Sequence, residues 1–113
     1  MKIDQQSQSS DALPEASFLI LIAIARRPMH GYLIMQTVNT YFASPGRLGP
    51  GTLYRTLQRL RSSKLIEEGD SDGDGDERRV NYRITPAGRI AIRLELKRLK
   101  SLLAFADEKE MFP

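Results

Sequence analysis

The segment from Gly49 to Leu60, GPGTLYRTLQRL, holds the side chains best suited to recognise another molecule. Its leucines recur at the i, i+4 and i+7 spacing of one helical face, which predicts an amphipathic helix packed through leucine. The opposite face would present Gly51, Thr52, Arg55, Gln58 and Arg59. Arginine can donate two parallel hydrogen bonds to guanine and glutamine can pair with adenine. This face therefore has the chemistry of base recognition in a major groove.

Charge is distributed in blocks along the chain, although the formal net charge is only +3. From Ala16 to Ile66 there are seven basic residues and no acid, and from Arg78 to Ala106 there are eight basic residues and one acid, Glu95. Seven of the 14 acidic residues lie between these blocks, from Glu67 to Glu77. Two basic blocks in a small domain indicate a polyanionic partner, most often a nucleic acid.

The composition excludes several classes of chemistry. The 113 residues include no cysteine and a single histidine, His30. Disulfide frameworks, thiolate zinc sites and thiol nucleophiles are therefore excluded, and one histidine is too few for a histidine metal centre or a usual catalytic triad. The longest apolar run, Phe18 to Ala25, has eight residues, far below the roughly 20 that a membrane helix requires. We expect a cytoplasmic protein that is not an enzyme, with no metal, cofactor or membrane partner.

Turn and helix signals divide the first part of the chain. Residues 1–13 are polar and have too little apolar content to fold alone, so we expect a disordered arm. We predict a first helix from Pro14 to about Arg27, a second from Tyr32 to Phe42, and the amphipathic third from Pro50. His30 lies in a cluster of helix breakers, and we expect it to hydrogen-bond to the start of the second helix.

A hairpin and a long helix are predicted after the third helix. The strands are Leu65–Glu68 and Arg79–Ile84, joined by the acidic turn GDSDGDGDE. Thr85 and Pro86 are a strong helix start, and the helix should run to about Ala106. Its apolar residues repeat at the spacing of a short coiled-coil seam, which favours contact with a partner subunit.

The fold class is therefore mostly α with a small β-hairpin. Three helices followed by a hairpin are the order of the winged helix-turn-helix, in which the third helix enters the major groove. We assign residues 14–84 to this domain and residues 85–113 to a C-terminal dimerisation helix and tail.

Three motifs in this order resemble the PadR family of transcriptional regulators. They are Pro28-Met-His-Gly-Tyr32 after an apolar first helix, the segment Gly49–Leu60, and RRVNYRITPAGR from Arg78 to Arg89. The resemblance spans roughly residues 14–89, and the short tail is similar to that of compact members with a single C-terminal dimerisation helix. It implies a homodimeric DNA-binding regulator, usually a repressor released by a small ligand, acting on an inverted-repeat operator.

The resemblance and the third helix together indicate the site residues. Tyr32 and Tyr54 are expected on the DNA backbone, and Arg55 stands where many members have proline, which adds a donor. The expected DNA contacts are Tyr32, Arg47, Gly51, Thr52, Tyr54, Arg55, Gln58, Arg59, Lys64, Arg78 and Arg79. The expected dimer interface is Phe18, Leu21, Ile22, Ile92, Leu96, Leu99 and Leu103. A small aromatic or amphipathic effector would bind near it, where Phe18, Tyr41 and Phe105 could line a pocket.

Two alternatives stay open on the sequence alone. Asp70, Asp72, Asp74 and Gly75 match four positions of a calcium loop, but Asn81 occupies the position of its bidentate glutamate, so a soluble acidic turn is preferred. The basic blocks could also serve a winged-helix adaptor that binds an acidic protein. An adaptor needs no arginine and glutamine stripe facing a groove, so the third helix discriminates between the two functions.

Overall fold

The computed structural model describes residues 12–72 and 79–112, which form helices around a small sheet. In chain order the elements are α1 (Glu15–Ala23), β1 (Met29–His30), α2 (Gly31–Tyr41), α3 (Pro50–Ser62), β2 (Ile66–Asp72), β3 (Arg79–Ile84) and α4 (Pro86–Glu108). This order confirms the predicted class, and we call the β2–β3 hairpin the wing. None of the helices in the described ranges is long and apolar enough to cross a membrane.

Helix α1 ends at Ala23, earlier than the predicted end near Arg27. Pro28 prevents the helix from reaching Arg27, because a proline pushes the preceding residue out of the helical region. The chain bends from Ala25 onward. The guanidinium of Arg89 donates to the Ala25 carbonyl at 2.8 Å, which satisfies a backbone group that the helix no longer uses.

The sheet has three strands in the order β1-β3-β2, all antiparallel. The sequence did not predict β1, because two residues carry no periodicity. The paired residues of β1 and β3 are Met29–Tyr82 and His30–Asn81. Strand β2 continues to Asp72, beyond its predicted end at Glu68, and its register with β3 shifts between Glu68 and Ser71. Strand β1 therefore joins the start of α2 to β3, the central strand of the sheet.

The hydrophobic core is built around α1, which packs against α2, α3 and α4. Its buried apolar residues are Ile20, Leu21, Ile24, Met29, Ile34, Val38, Leu48, Leu53, Leu57, Leu60, Ile66, Ile84 and Ile92. The predicted leucine stripe of α3 is confirmed, since Leu53, Leu57 and Leu60 are each at most 3% exposed. Burial of this stripe orients α3 and directs its polar side outward.

The first turn of α4 packs against the backbone of Lys64 and Leu65, just after the end of α3. Thr85 is the predicted N-cap: its Oγ1 accepts from the Gly88 amide at 3.1 Å and donates to the Lys64 carbonyl at 2.8 Å. A Cβ at Gly88 would lie 2.3 Å from the Leu65 carbonyl oxygen. Only glycine allows the backbones to approach this closely.

Candidate nucleic-acid interface

The polar face of α3 is fully presented to solvent. Its exposed residues include Gly51, Thr52, Tyr54, Arg55, Gln58 and Arg59. Neither Arg55 nor Arg59 forms an ion pair with a carboxylate in the described part of the chain. The N-cap is Gly49, which has no side chain to bond the free amides of the first turn. Uncommitted donors and the positive end of a helix dipole together favour an anionic partner.

An aromatic cleft of about 290 Å³ adjoins this face, between α2, α3 and β3. It is lined by His30, Gly31, Tyr32, Tyr54, Val80 and Tyr82. The structure thus brings the two predicted tyrosines, Tyr32 and Tyr54, to one place, with 59% and 52% of their surfaces exposed. The sequence pattern did not indicate Tyr82 as a site residue. The alternation of RVNYRI places Val80 and Tyr82 on one strand face, but only the unforeseen β1–β3 pairing brings that face to α2.

The hydroxyl of Tyr82 is held in its protonated form. Burial raises the pKa of Tyr82 above its ordinary value, and the Glu68 carboxylate and Tyr54 raise it further, against a lowering effect of Arg61. At neutral pH the phenol is therefore a hydrogen-bond donor. Phenol hydroxyls are suited to hydrogen-bond with the phosphate oxygens of a nucleic-acid backbone.

The start of α2 forms one wall of this cleft. His30 is the predicted helix-start residue: its Nδ1 accepts from the Leu33 amide at 3.2 Å. That bond satisfies one of the free amides in the first turn of α2. The following residue, Gly31, is buried against the ring of Tyr54 on α3. The segment His30-Gly31-Tyr32 therefore begins α2 and places it against Tyr54 of α3.

Two ion pairs join the wing to the chain's own arginines. Arg83 Nε lies 3.2 Å from Glu67 Oε2 within the wing, and Arg61 at the end of α3 pairs with Glu68. The first two acids of the acidic stretch are thus matched by cations. Arg78 and the calcium-loop positions Asp74 and Gly75 lie outside the described residues. Arg79 begins β3 opposite Asp72.

Two predicted DNA contacts lie apart from the others. Arg47 Nε is 3.1 Å from Glu15 Oε2, and its guanidinium sits 4.2 Å from the centre of the Phe42 ring. Its charge therefore serves contacts within the chain, between the turn before α3 and the start of α1. Lys64 follows the C-terminus of α3 in a left-handed conformation, with φ 64°. It lies about 18 Å along the helix axis from Thr52, so the structure does not group it with the first turn of α3.

The predicted dimer residues divide into core and surface. Leu21 is 0% exposed and Ile92 is 8% exposed, because α1 and α4 pack against each other within one chain. Our expectation that these two face a partner is therefore corrected: they belong to the core. Phe18 and Leu99 are half-buried. Ile22, Leu96 and Leu103 are exposed by 44%, 43% and 54% and remain available for contact with another molecule.

The aromatic residues expected around an effector do not form an enclosed site in one chain. Tyr41 is 82% exposed and Phe105 is 64% exposed, while Phe18 is half-buried against the core. Tyr41 packs edge-on against Phe42 with 4.9 Å between ring centres. A pocket that uses Phe105 would need a second surface to cover it.

Comparisons with known proteins agree with this arrangement. Residues 20–94 match the model of the transcriptional regulator PadR-like family. The chain is 39% identical over 83 residues to the transcriptional regulator Rv3488 of Mycobacterium tuberculosis, covering 74% of each chain. It is 37% identical over 81 residues to an uncharacterized 37.1 kDa protein in transposon Tn4556 of Streptomyces fradiae, covering 72% of this chain but 22% of that protein.

Among solved structures, a PadR family transcription regulator from Clostridium difficile has a TM-score of 0.71. The alignment covers 84% of this chain and 97% of that one at 22% identity, so it is a likeness of fold. The family match at residues 20–94 includes α3, the aromatic cleft and the wing. The chain therefore belongs to the PadR-like family of transcriptional regulators.

Proposed function

We propose that this chain is a sequence-specific DNA-binding repressor that acts as a homodimer on an inverted repeat. The observation that carries the proposal is the exposed polar face of α3, whose cations Arg55 and Arg59 have no acidic partner among the described side chains. In this proposal α3 enters the major groove. The cleft with Tyr32, Tyr54 and Tyr82 then receives the adjoining phosphate backbone.

The chemistry of the face divides naturally between base and phosphate contacts. Arg55 and Gln58 lie close to the centre of the exposed side, where a major groove would meet base edges. The hydroxyls of the cleft offer neutral donors, which suit phosphate positioning and carry no sequence information. This division distinguishes a DNA-binding module from an adaptor, because an acidic protein surface would not require glutamine and threonine beside arginine.

The exposed apolar residues of α4 support a homodimer. Helix α4 continues beyond its contact with the core, and residues 100–105 are exposed although three of them are large and apolar. Leu96 and Leu103 lie on one stripe of this helix, and Ile22 of α1 is also uncovered. A second copy would bury these side chains and place two α3 helices about 34–36 Å apart, one turn of DNA.

Release by a small aromatic or amphipathic effector is part of the proposal. Phe105 is exposed on α4 and would lie near the contact between two copies. An effector bound there can lower DNA affinity only if it binds a dimer arrangement that does not fit DNA more tightly than the one that does. The size of the effect is set by that difference in affinity. A screen of aromatic amphiphiles against the protein–DNA complex tests this part separately from DNA binding.

Selection from a random duplex library tests the function. We expect enrichment of an inverted repeat with half-sites one turn apart, bound as a dimer with an affinity that falls steeply as salt rises. Leu103→Glu should produce a monomer that binds this duplex weakly, while Lys97→Glu on the polar side of α4 should remain dimeric. A library that yields no enriched sequence, with equal weak binding to all duplexes, would contradict the proposal.

A further inference from the structure

The side chain of Asn39 forms two hydrogen bonds with the backbone of the turn between α2 and α3. Its Oδ1 accepts from the Leu48 amide at 2.8 Å, and its Nδ2 donates to the Leu48 carbonyl at 3.0 Å. One side-chain amide thereby satisfies both backbone groups of a single residue. The arrangement reproduces the double hydrogen bond of an antiparallel strand pair with a side chain in place of one strand.

Asn39 and Leu48 lie where their hydrogen bonds can fix the position of α3 relative to α2. Asn39 lies in the last turn of α2, and its own carbonyl accepts from the Ser44 amide at 3.0 Å. Leu48 is 1% exposed and stands two residues before Pro50, the first residue of α3. Asn39 is therefore bonded to both ends of the turn.

The hydrogen bonds supply a directional restraint that packing does not. Burial of the Leu48 side chain holds the turn against the core, but apolar contact is non-directional. At Gly49 no atom lies within 4 Å of the position of a Cβ, so no side-chain contact restrains the N-cap of α3 on that side. A tilt of about 5° at this point would move Gln58, about 12 Å along the helix, by about 1 Å. That displacement is enough to misplace a bidentate base contact.

We propose that Asn39 is a positioning residue for DNA recognition, which sets the angle at which α3 leaves the turn. The inference rests on the proposed function, because it concerns the accuracy with which α3 meets base edges. Asn39 itself makes no contact with DNA in this account. Loss of its side chain should impair discrimination between duplexes and leave general attraction to phosphate unchanged.

The test compares Asn39→Ala and Asn39→Asp with Gln36→Ala, an exposed control one turn earlier on α2. Asn39→Ala removes both bonds. Asn39→Asp keeps the acceptor for the Leu48 amide but sets a carboxylate oxygen against the Leu48 carbonyl. Each folded variant is titrated with the duplex selected by the unmodified chain and with a scrambled duplex. Exchange of the Leu48 amide with deuterium reports whether the restraint itself is lost.

We expect both Asn39 variants to lose at least about tenfold in affinity for the selected duplex, similar to the effect of one mismatched base pair. The affinity of Asn39→Ala for the scrambled duplex should change by less than about twofold, because its charge is unchanged and phosphate attraction depends on charge. Asn39→Asp adds one negative charge, so it should lose some affinity for the scrambled duplex but more for the selected one. The Leu48 amide should exchange faster in Asn39→Ala, which removes its acceptor, and at an unchanged rate in Gln36→Ala. Equal loss on both duplexes, or undiminished discrimination, would overturn the inference while leaving the proposed function intact. If the unmodified chain selects no duplex, the proposed function fails, and this inference falls with it.

Discussion

The aromatic ring of Tyr54 on α3 lies directly against the backbone of Gly31 at the start of α2. A Cβ at Gly31 would be 2.9 Å from Tyr54 Oη and 3.0 Å from Cε1. The glycine is thus required by a side chain that also lines the cleft. Together with the Asn39–Leu48 pair at the other end of α2, this contact holds the two helices at both ends.

Gly31→Ala should displace the Tyr54 ring and weaken DNA binding. The end of a half-exposed tyrosine can swing aside, so we expect the unfolding free energy to fall by about 1 kcal/mol or less. DNA affinity should fall as far as it does in Tyr54→Ala. In a double-mutant cycle the two changes should be strongly non-additive. Additive losses of DNA affinity would show that Gly31 acts by some route other than the ring.

Gly51→Ala should separate stability from DNA binding. A Cβ there would meet only Arg55 Nη1, at 3.8 Å, so alanine fits without strain. Replacing a glycine with alanine at a compatible position should raise the unfolding free energy by about 0.4–1 kcal/mol, chiefly by reducing the entropy of the unfolded chain. We nevertheless expect weaker DNA binding, since the first turn of α3 is where DNA would approach the backbone. Denaturant unfolding and duplex titration measure the two effects, and unchanged DNA affinity would remove Gly51 from the interface.

Arg55→Ala should reduce specific affinity more than non-specific affinity. A bidentate arginine contact with guanine is worth about 1–3 kcal/mol of discrimination, whereas a phosphate contact weakens binding to all duplexes alike. Arg93→Ala on α4 is the matched control, because it removes an equal charge from an exposed position outside the cleft and α3. Equal losses on selected and scrambled duplexes would reassign Arg55 to a phosphate.

Glu68→Gln should tighten DNA binding. In the free protein Glu68 neutralises Arg61 at the end of α3, so its removal releases a cation beside the cleft. The pair is solvent-exposed, and its loss should change the unfolding free energy by less than about 1 kcal/mol. We expect higher affinity at low salt and a steeper salt dependence by about one phosphate contact. Glu67→Gln, which frees Arg83 within the wing, is the comparison. If Glu68→Gln gives no gain in DNA affinity, Arg61 does not face DNA.

Glu95→Gln should destabilise the fold and reduce its sensitivity to acid. Glu95 is 3% exposed, accepts from the Leu13 amide at 3.1 Å and pairs with Arg98 at 2.6 Å. The bond from Arg98 lowers the pKa of Glu95 below 4.5, against burial, which raises it. Because the folded pKa is depressed, this stabilisation is complete above pH 4.5 and is lost as the pH falls through the folded pKa.

At neutral pH we expect the variant to lose about 2 kcal/mol of unfolding free energy, as for a charged hydrogen bond. Urea titrations at neutral and acidic pH measure the difference, with Glu108→Gln, an exposed change on the same helix, as control. If the variant and the unmodified chain lose stability equally on acidification, Glu95 is not the group responsible.

Local signals predicted most of the fold. The leucine spacing of α3, the Thr85-Pro86 start of α4 and the capping role of His30 depend on neighbours within a few residues, and each is confirmed. Strand β1 depends on pairing with β3, and the Ala25 carbonyl beyond the end of α1 is bonded by the distant Arg89. Contacts between distant residues leave no periodicity in the sequence.

The part of the site that depends on local pattern was predicted, and the part that depends on tertiary contacts was not. The exposed face of α3 follows from its amphipathic pattern, and the structure places every predicted member there. Arg47 pairs with Glu15 in the free chain, a contact between distant residues that composition does not indicate, and its contact with DNA stays a prediction. Leu21 and Ile92 were misassigned because apolar residues are alike in a core and in a dimer seam. Asn39 and Tyr82 owe their places to tertiary contacts.

Site-directed DNA cleavage tests the central claim, that α3 lies in the major groove, most directly. The chain has no cysteine, so Ser62→Cys, on the exposed side of α3, can carry a single tethered cleaving reagent. On the selected duplex we expect two cleavage sites in the major groove, about one helical turn apart. The same reagent on Lys97→Cys of α4 should give little cleavage. Stronger cleavage from α4, or uniform cleavage from both positions, would contradict the account.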